Sequence, residues 1–133
     1  MKIKKIDHVA VVVAELDHSI SVWKDVFGLE LVNLEVVPLQ KSKVAFFAVG
    51  ESHLELVQPL TDDSGVARFL GERGGGMHHI CFEVEDIGAA LIELKEKGIR
   101  LINEVPQVME GRKMAFIHPK ATGGVLVELY ELI

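Results

Sequence analysis

The sequence predicts an α+β fold in which two βαβββ repeats form a cup-shaped mixed sheet around a metal site, with the helices on the outer face. Two observations predict it. The chain repeats itself at an offset of 70–73 residues, and in each copy a stretch of helical period is followed by short β-branched runs. At 133 residues the chain is too short for two independent domains. We therefore expect one domain over residues 1–133, with repeats at about 4–73 and 74–133.

Three pairs of segments carry the repeat. Residues 6–11 align with residues 77–82, residues 43–47 with residues 113–117, and residues 54–56 with residues 127–129. A match along the whole chain is typical of a duplicated supersecondary unit. The glycine-rich stretch at residues 72–76 joins the two copies.

The predicted first helix has Asp17 as its N-cap and Gly28 as its left-handed C-cap. Its apolar face is expected to consist of Ile20, Trp23 and Phe27, which recur at helical spacing. After Gly28, residues 29–33 are predicted to form a strand.

The second repeat predicts the same order of elements. A helix is expected over residues 86–98, followed by a strand at residues 99–103. The apolar face of that helix comprises Ile87, Ala90, Leu91 and Leu94. A further short helix is predicted from Ser64 to about Gly71, and its buried face comprises Val66, Phe69 and Leu70.

Four residues stand out because alternate residues of a strand share one face. His8 points away from the face of Val11 and Val13, which the first helix is expected to cover. The repeat aligns His79 with His8, whereas His78 aligns with Asp7. Glu55 and Glu128 occupy matching positions on the last strand of each repeat. The spacing from His to Glu is 47 residues in the first copy and 49 in the second.

A two-fold arrangement of the repeats would bring two imidazoles and two carboxylates together. This donor set suits one divalent Co, Mn, Zn, Ni or Fe ion. It contains no thiolate, the ligand that would favour a softer metal. Taken singly, each carboxylate could be the solvent side of an amphipathic strand and each histidine an ordinary core residue. Their equivalence in two repeats favours the metal site, with His8, Glu55, His79 and Glu128 as ligands.

Composition excludes several classes of partner. The formal charge of −6 argues against nucleic acid, which is bound chiefly by clustered Lys and Arg. The longest apolar run, residues 9–14, is far shorter than the roughly 20 residues of a membrane helix. Cys81 is the only cysteine, so no internal disulfide can form. We expect a soluble, cytoplasmic protein that binds neither nucleic acid nor membranes.

Longer motifs resemble the methylmalonyl-CoA epimerase family of the vicinal oxygen chelate (glyoxalase/bleomycin resistance/dioxygenase) superfamily. They are Ile-Asp-His at residues 6–8, Leu-Glu-Leu-Val-Gln-Pro at residues 54–59, and His-Pro-Lys-Ala-Thr-Gly-Gly-Val-Leu-Val-Glu-Leu at residues 118–129. The resemblance implies a glyoxalase-like fold, an acyl-CoA thioester substrate and a homodimer. It also implies a metal-dependent isomerase that inverts the α-carbon of methylmalonyl-CoA through a metal-stabilised enolate.

The resemblance further implies catalytic roles. Glu128 would be both metal ligand and general base. Some members place a catalytic glutamate on the third strand, where this chain has Val44, so Glu55 is the candidate for the second base. Candidate contacts to the substrate are Gln40, Lys43, Arg112, Lys113, His118 and Lys120.

Two other functions remain open. A glyoxalase I-type lactoylglutathione lyase uses a similar His/Glu set, but its usual arginine-bearing N-terminal motif is not evident here. A non-catalytic small-molecule-binding protein of the resistance type shares the fold and would not need four inward-facing ligands. Metal content and activity separate these alternatives.

Overall fold

The computed structural model describes all residues, 1–133. Its contacts define two compact units: the first unit is His8–His78, and the second unit comprises Met1–Asp7 and His79–Ile133. The strands are β1 Ile3–Val12, β2 Glu30–Val37, β3 Ser42–Val49, β4 Ser52–Pro59, β5 Gly76–Val84, β6 Gln107–Met109, β7 Arg112–Ile117 and β8 Leu126–Leu132. The helices are α1 Leu16–Ser21, α2 Gly65–Arg73 and α3 Ile87–Glu96.

In the first unit the strands are hydrogen-bonded in the order β2-β3-β4-β1. β1 and β4 are parallel, whereas the other two pairs are antiparallel. Helix α1 packs on one face, where Leu16 is buried against Ala45, Phe47 and Leu56. Val11 and Val13 join the same cluster, together with Ile20 and Trp23. The prediction that the first helix covers the valine face is confirmed.

The predicted N-cap of α1 is wrong. The helix begins at Leu16 with Glu15 as its N-cap, and the side chain of Glu15 makes no capping hydrogen bond. Asp17 lies inside the first turn. The N–H of Leu16 instead donates to Oε1 of Gln58 on β4, at 2.8 Å. An acceptor from a distant strand replaces the local cap, which strand and helix periodicity cannot reveal.

The end of α1 also departs from the prediction. The chain continues as a π-helical turn over Val22–Val26, which rotates the following side chains relative to an α-helix. Phe27 is therefore 63% exposed and contacts the ring of Trp23, with centroids 5.1 Å apart. Gly28 has the predicted left-handed conformation, at φ +75°.

Helix α2 covers the opposite face of the first unit. Ser64 is its N-cap, with Oγ accepting from the N–H of Ala67 at 3.0 Å. The predicted face, Val66, Phe69 and Leu70, packs on a buried cluster. That cluster comprises Ala10, Val12, Val44 and Val57. By strand parity this is the face that carries His8 and Glu55.

In the second unit the order is β5-β8-β7-β6, with β5 and β8 parallel and the other pairs antiparallel. Asp86 caps α3 by accepting from the N–H of Ala89 at 3.0 Å. The helix buries Ile87, Ala90 and Leu91 against β7 and β8.

The strand predicted at residues 99–103 is wrong. Only Leu101 forms an isolated bridge, to Ile117. The backbone N–H groups of Ile102 and of Asn103 both donate to the carbonyl of Phe116. The N–H of Phe116 in turn donates to Oδ1 of Asn103. The asparagine side chain thus replaces a ladder bond, and the next strand starts later, as the short β6.

None of the helices in the protein is long and apolar enough to cross a membrane.

Candidate functional site

The first unit brings His8 and Glu55 together. In the parallel pair of β1 and β4, Glu55 lies opposite Ala10, two residues after His8 on the same face. Nδ1 of His8 is 3.1 Å from Oε2 of Glu55. His8 is buried, and Glu55 is largely shielded. Burying a carboxylate among apolar strands is costly unless it is paired, so the contact with the histidine makes its position tolerable.

The second unit repeats this arrangement with His79 and Glu128. Glu128 lies opposite Cys81, again two residues after the histidine. Nε2 of His79 is 3.1 Å from Oε1 of Glu128, and both side chains are about nine-tenths buried. The ring of Phe116 meets that of His79 edge-on, with centroids 5.6 Å apart. Aromatic packing therefore fixes the orientation of the imidazole.

In both units the third strand places a phenylalanine opposite the glutamate. Phe46 on β3 lies opposite Glu55, and Phe116 on β7 lies opposite Glu128. Each carboxylate is flanked by one small residue and one phenylalanine, which limits its access to water. His78, the neighbour of His79, instead places its ring edge-on against Phe69 of α2, at 4.9 Å. The structure thus pairs His79 with the glutamate of its repeat, Glu128.

Each His–Glu pair fits the geometry of two ligands on one cation. Nitrogen and oxygen ligands of a divalent ion such as zinc lie about 2.0–2.2 Å from the metal. Two such ligands at roughly a right angle are therefore about 3 Å apart. Both pairs match, at 3.1 Å. The donors, imidazole and carboxylate, suit several first-row divalent metals and do not select one.

Val44 occupies the third-strand position at which some family members carry a glutamate, and its surroundings are apolar. Val44 is 1% exposed and packs with Ala10, Val12 and Val57 beneath α2. No carboxylate of the third strand can therefore serve as a base from this position.

The other predicted contacts are spread over the two units. In the first unit, Gln40 ends an exposed 3₁₀ turn, Pro38–Gln40. Lys43 lies opposite Gln58, on the face that carries α1. In the second unit, Lys113 lies on the face that carries α3 and contacts Glu131 at 3.8 Å. Lys43 therefore lies on the strand face opposite to that of Glu55, and Lys113 on the face opposite to that of Glu128.

His118 begins a second 3₁₀ turn, Pro119–Ala121. Its Nδ1 accepts from the N–H of Lys120 at 3.0 Å. The partly buried position, and then the charges of Arg100 and Lys120, lower the pKa of the imidazole below its ordinary 6.5. The side chain of Lys120 itself is exposed.

Arg112 shares the strand face of Glu128, and its partner there was not recognised from the sequence. Nη1 of Arg112 donates to Oη of Tyr130 at 3.2 Å. The only available signal was strand parity, which places Tyr130 two residues after Glu128 on one face. Nothing in the sequence linked that tyrosine to a residue 18 positions earlier.

The family model of the glyoxalase/bleomycin resistance protein/dioxygenase superfamily matches residues 7–116. The chain is 42% identical to the mitochondrial methylmalonyl-CoA epimerase of Mus musculus, over 96% of this chain and 73% of that protein. The chain belongs to the methylmalonyl-CoA epimerase family. Another relative in this family is an ethylmalonyl-CoA/methylmalonyl-CoA epimerase of Cereibacter sphaeroides, 36% identical over 98% of this chain and 99% of that protein.

A solved member of the epimerase family has the same fold. It is a variant of Streptomyces coelicolor methylmalonyl-CoA epimerase in complex with 2-nitronate-propionyl-CoA, with a TM-score of 0.90. Its sequence is 30% identical, and the match covers 98% of this chain and 96% of that one. The family resemblance and the glyoxalase-like α+β fold predicted from the sequence are therefore confirmed.

Proposed function

We propose that this chain is a metal-dependent epimerase that interconverts the two α-carbon stereoisomers of methylmalonyl-CoA. The observation that supports the proposal best is the shared strand register of His8 with Glu55 and of His79 with Glu128. Relatives that cover nearly the whole chain are named for this isomerase activity. Acyl-CoA recognition is supported by the CoA compound bound to the Streptomyces protein.

In this proposal the two pairs together hold one divalent cation. The cation would act as a Lewis acid that stabilises negative charge on the thioester oxygen when the α-proton leaves. Two carboxylates and two neutral imidazoles leave the cation close to neutral. The residues themselves allow Co, Mn, Zn, Ni or Fe.

Proton transfer is assigned to the two carboxylates. Glu128 accepts the α-proton on a carboxylate oxygen as the carbon–hydrogen bond breaks, and the electron pair moves toward the thioester oxygen. Glu55, which has taken up a proton from water before the step, returns it to the other face of the carbon, which inverts it, and exchange with water then resets both groups. For the opposite stereoisomer the two roles exchange. One carboxylate oxygen of each glutamate contacts the histidine of its pair. The other oxygen of each glutamate would carry the proton.

The deciding experiment is incubation with methylmalonyl-CoA in D₂O, followed by NMR for deuteration and by chiral analysis for racemisation. We expect α-deuteration at the rate of racemisation or faster. The hemithioacetal of glutathione and methylglyoxal is offered in parallel. Formation of a lactoyl thioester without deuteration of methylmalonyl-CoA would assign a glyoxalase I-type lyase instead.

Metal analysis of the purified protein separates an enzyme from a binding protein. We expect about one divalent ion per chain, and loss of exchange with a chelator that added metal restores. Far less than one metal per chain, together with no activity after metal addition, would favour the non-catalytic alternative.

The proposal includes a homodimer in the cytoplasm. The open edges of β2 and β6 offer unpaired backbone groups that a second copy could cover. A single cysteine is compatible with a reducing compartment. Light scattering after size exclusion should give twice the 14.7 kDa of one chain, and a mass of one chain would refute the dimer.

A further inference from the structure

Arg112 is a cation without a counterion on the strand face that carries Glu128. β7 runs antiparallel to β8, with Phe116 opposite Glu128 and Arg112 four residues before Phe116 on the same face. The guanidinium carbon lies 5.2 Å from the centre of the Tyr130 ring, and one nitrogen donates to its hydroxyl. No carboxylate lies within ion-pair distance of this arginine.

The Nε atom of Arg112 is buried and has no hydrogen-bond partner. A buried donor left unsatisfied is destabilising, and such groups are rare in folded proteins. Nε and one Nη of a guanidinium form a fork whose spacing matches two oxygens of a carboxylate or phosphate. Tyr130 occupies Nη1, so the fork is not saturated. A carboxylate or phosphate that met Nε and the neighbouring Nη would satisfy the unpaired donor.

Comparison with the other repeat indicates that the pair is not needed for the fold. Aligning Lys113 with Lys43 and Glu128 with Glu55 puts Ser42 at the position of Arg112 and Val57 at that of Tyr130. Ser42 is fully buried, and its Oγ donates to the carbonyl of Gln40. Val57 packs beneath α2. The first unit thus closes these positions with uncharged side chains, whereas the second places a cation there.

We propose that Arg112, oriented by Tyr130, is the oxyanion-binding residue for the acyl-CoA substrate. The inference rests on the proposed epimerase function and deepens it. Tyr130 lies two residues after Glu128 on β8. The guanidinium of Arg112, which lies over the Tyr130 ring, is therefore about 7 Å along the strand from Glu128. Either the free carboxylate of the acyl group or a phosphate of CoA can supply the two oxygens.

The test compares steady-state kinetics of the metal-loaded wild type with those of Arg112→Met, Arg112→Lys and Tyr130→Phe. Arg68→Met is the matched control, because Arg68 is an exposed arginine on α2. Each protein is assayed with methylmalonyl-CoA and with methylmalonyl-pantetheine, which lacks the nucleotide phosphates. Circular dichroism and metal content establish that each variant is folded and loaded.

We expect Arg112→Met to raise KM for methylmalonyl-CoA at least about tenfold with a much smaller change in kcat. Arg112→Lys should recover part of the loss, since it keeps the charge but not the fork. Tyr130→Phe should raise KM less, and Arg68→Met should leave it unchanged. A KM rise that persists with the pantetheine thioester assigns the acyl carboxylate, and one that disappears assigns a phosphate.

An unchanged KM with both substrates in Arg112→Lys and Arg112→Met would overturn the proposal, as would a loss confined to kcat. If Arg112→Met does not fold, the lysine variant decides. If the wild type shows no epimerase activity, the proposed function fails. Calorimetric titration with malonate and with CoA then still tests Arg112. Weaker binding of either probe by Arg112→Lys would support the site, and equal binding of both would refute it.

Discussion

Glu55 and Glu128 take the same register in their two repeats. Each lies opposite the residue two places after a histidine, and each has a phenylalanine opposite it on the other neighbouring strand. The surroundings are nevertheless unequal. Helix α2 covers the strand face of Glu55 within its unit, whereas the only α-helix of the second unit, α3, packs on the face away from Glu128. The two glutamates therefore have equal register and unequal cover within their own units.

Glu55→Gln should abolish racemisation, and α-proton exchange in the stereoisomer whose proton Glu55 removes, while sparing metal content. The amide oxygen can still ligate a cation, but an amide cannot accept the proton as a carboxylate does. Exchange is measured by NMR in D₂O and metal by mass spectrometry. Glu72→Gln, at an exposed position of α2, is the control with the same charge change. Normal exchange of both stereoisomers by Glu55→Gln would rule out Glu55 as the second base.

His79→Ala should weaken metal binding by more than the roughly 10–100-fold that loss of an outer-shell partner costs. His78→Ala is the matched control, since it removes the adjacent histidine, whose ring packs edge-on against Phe69 of α2. It should keep the metal and lose only some packing of α2. Competition with a calibrated chelator gives both affinities. Equal metal loss in the two variants would contradict the assignment by register.

The repeat, the strand faces and the pairing of His79 with Glu128 could be predicted because they follow from local period and internal alignment. Three features could not. Gln58 satisfies the start of α1 from another strand, a π-turn turns Phe27 outward, and Asn103 replaces a predicted ladder. Each depends on a partner distant in sequence or on a local change of helical period. The unsaturated fork of Arg112 is of the same kind, because it is visible only once Tyr130 is placed.

Val44→Glu should destabilise the fold by about 3–5 kcal/mol, because it places an unpaired carboxylate in a closed apolar cluster. It should not supply a second base. Val44→Ala removes packing without adding charge and should cost about 2 kcal/mol. Urea unfolding gives both values. A Val44→Glu protein as stable as Val44→Ala would show that the cluster admits water or a counterion.

Gly75→Ala should destabilise the segment that leads into β5 by more than about 2 kcal/mol. Gly75 has φ +105°, and an added Cβ would lie 2.8 Å from the carbonyl oxygen of Val12. Gly71→Ala is the control within α2, where nothing lies near the added atom. It should stabilise the protein by about 0.5–1 kcal/mol. Thermal and urea unfolding of both variants should give shifts of opposite sign, and a shared sign would refute the strain argument.

His118 should titrate below 6.5, and Arg100→Met should raise its pKa, because a neighbouring positive charge disfavours the imidazolium. The neutral ring also caps the turn, since Nδ1 can accept from Lys120 only when it is unprotonated. Its contribution to stability is present above the unfolded pKa and is lost as the pH falls through the lower folded one. NMR of the imidazole C–H protons measures the pKa. Lys97→Met, which removes an exposed cation paired with Glu93, should leave it unchanged, and an equal rise in both variants would mean that the effect is net charge rather than Arg100.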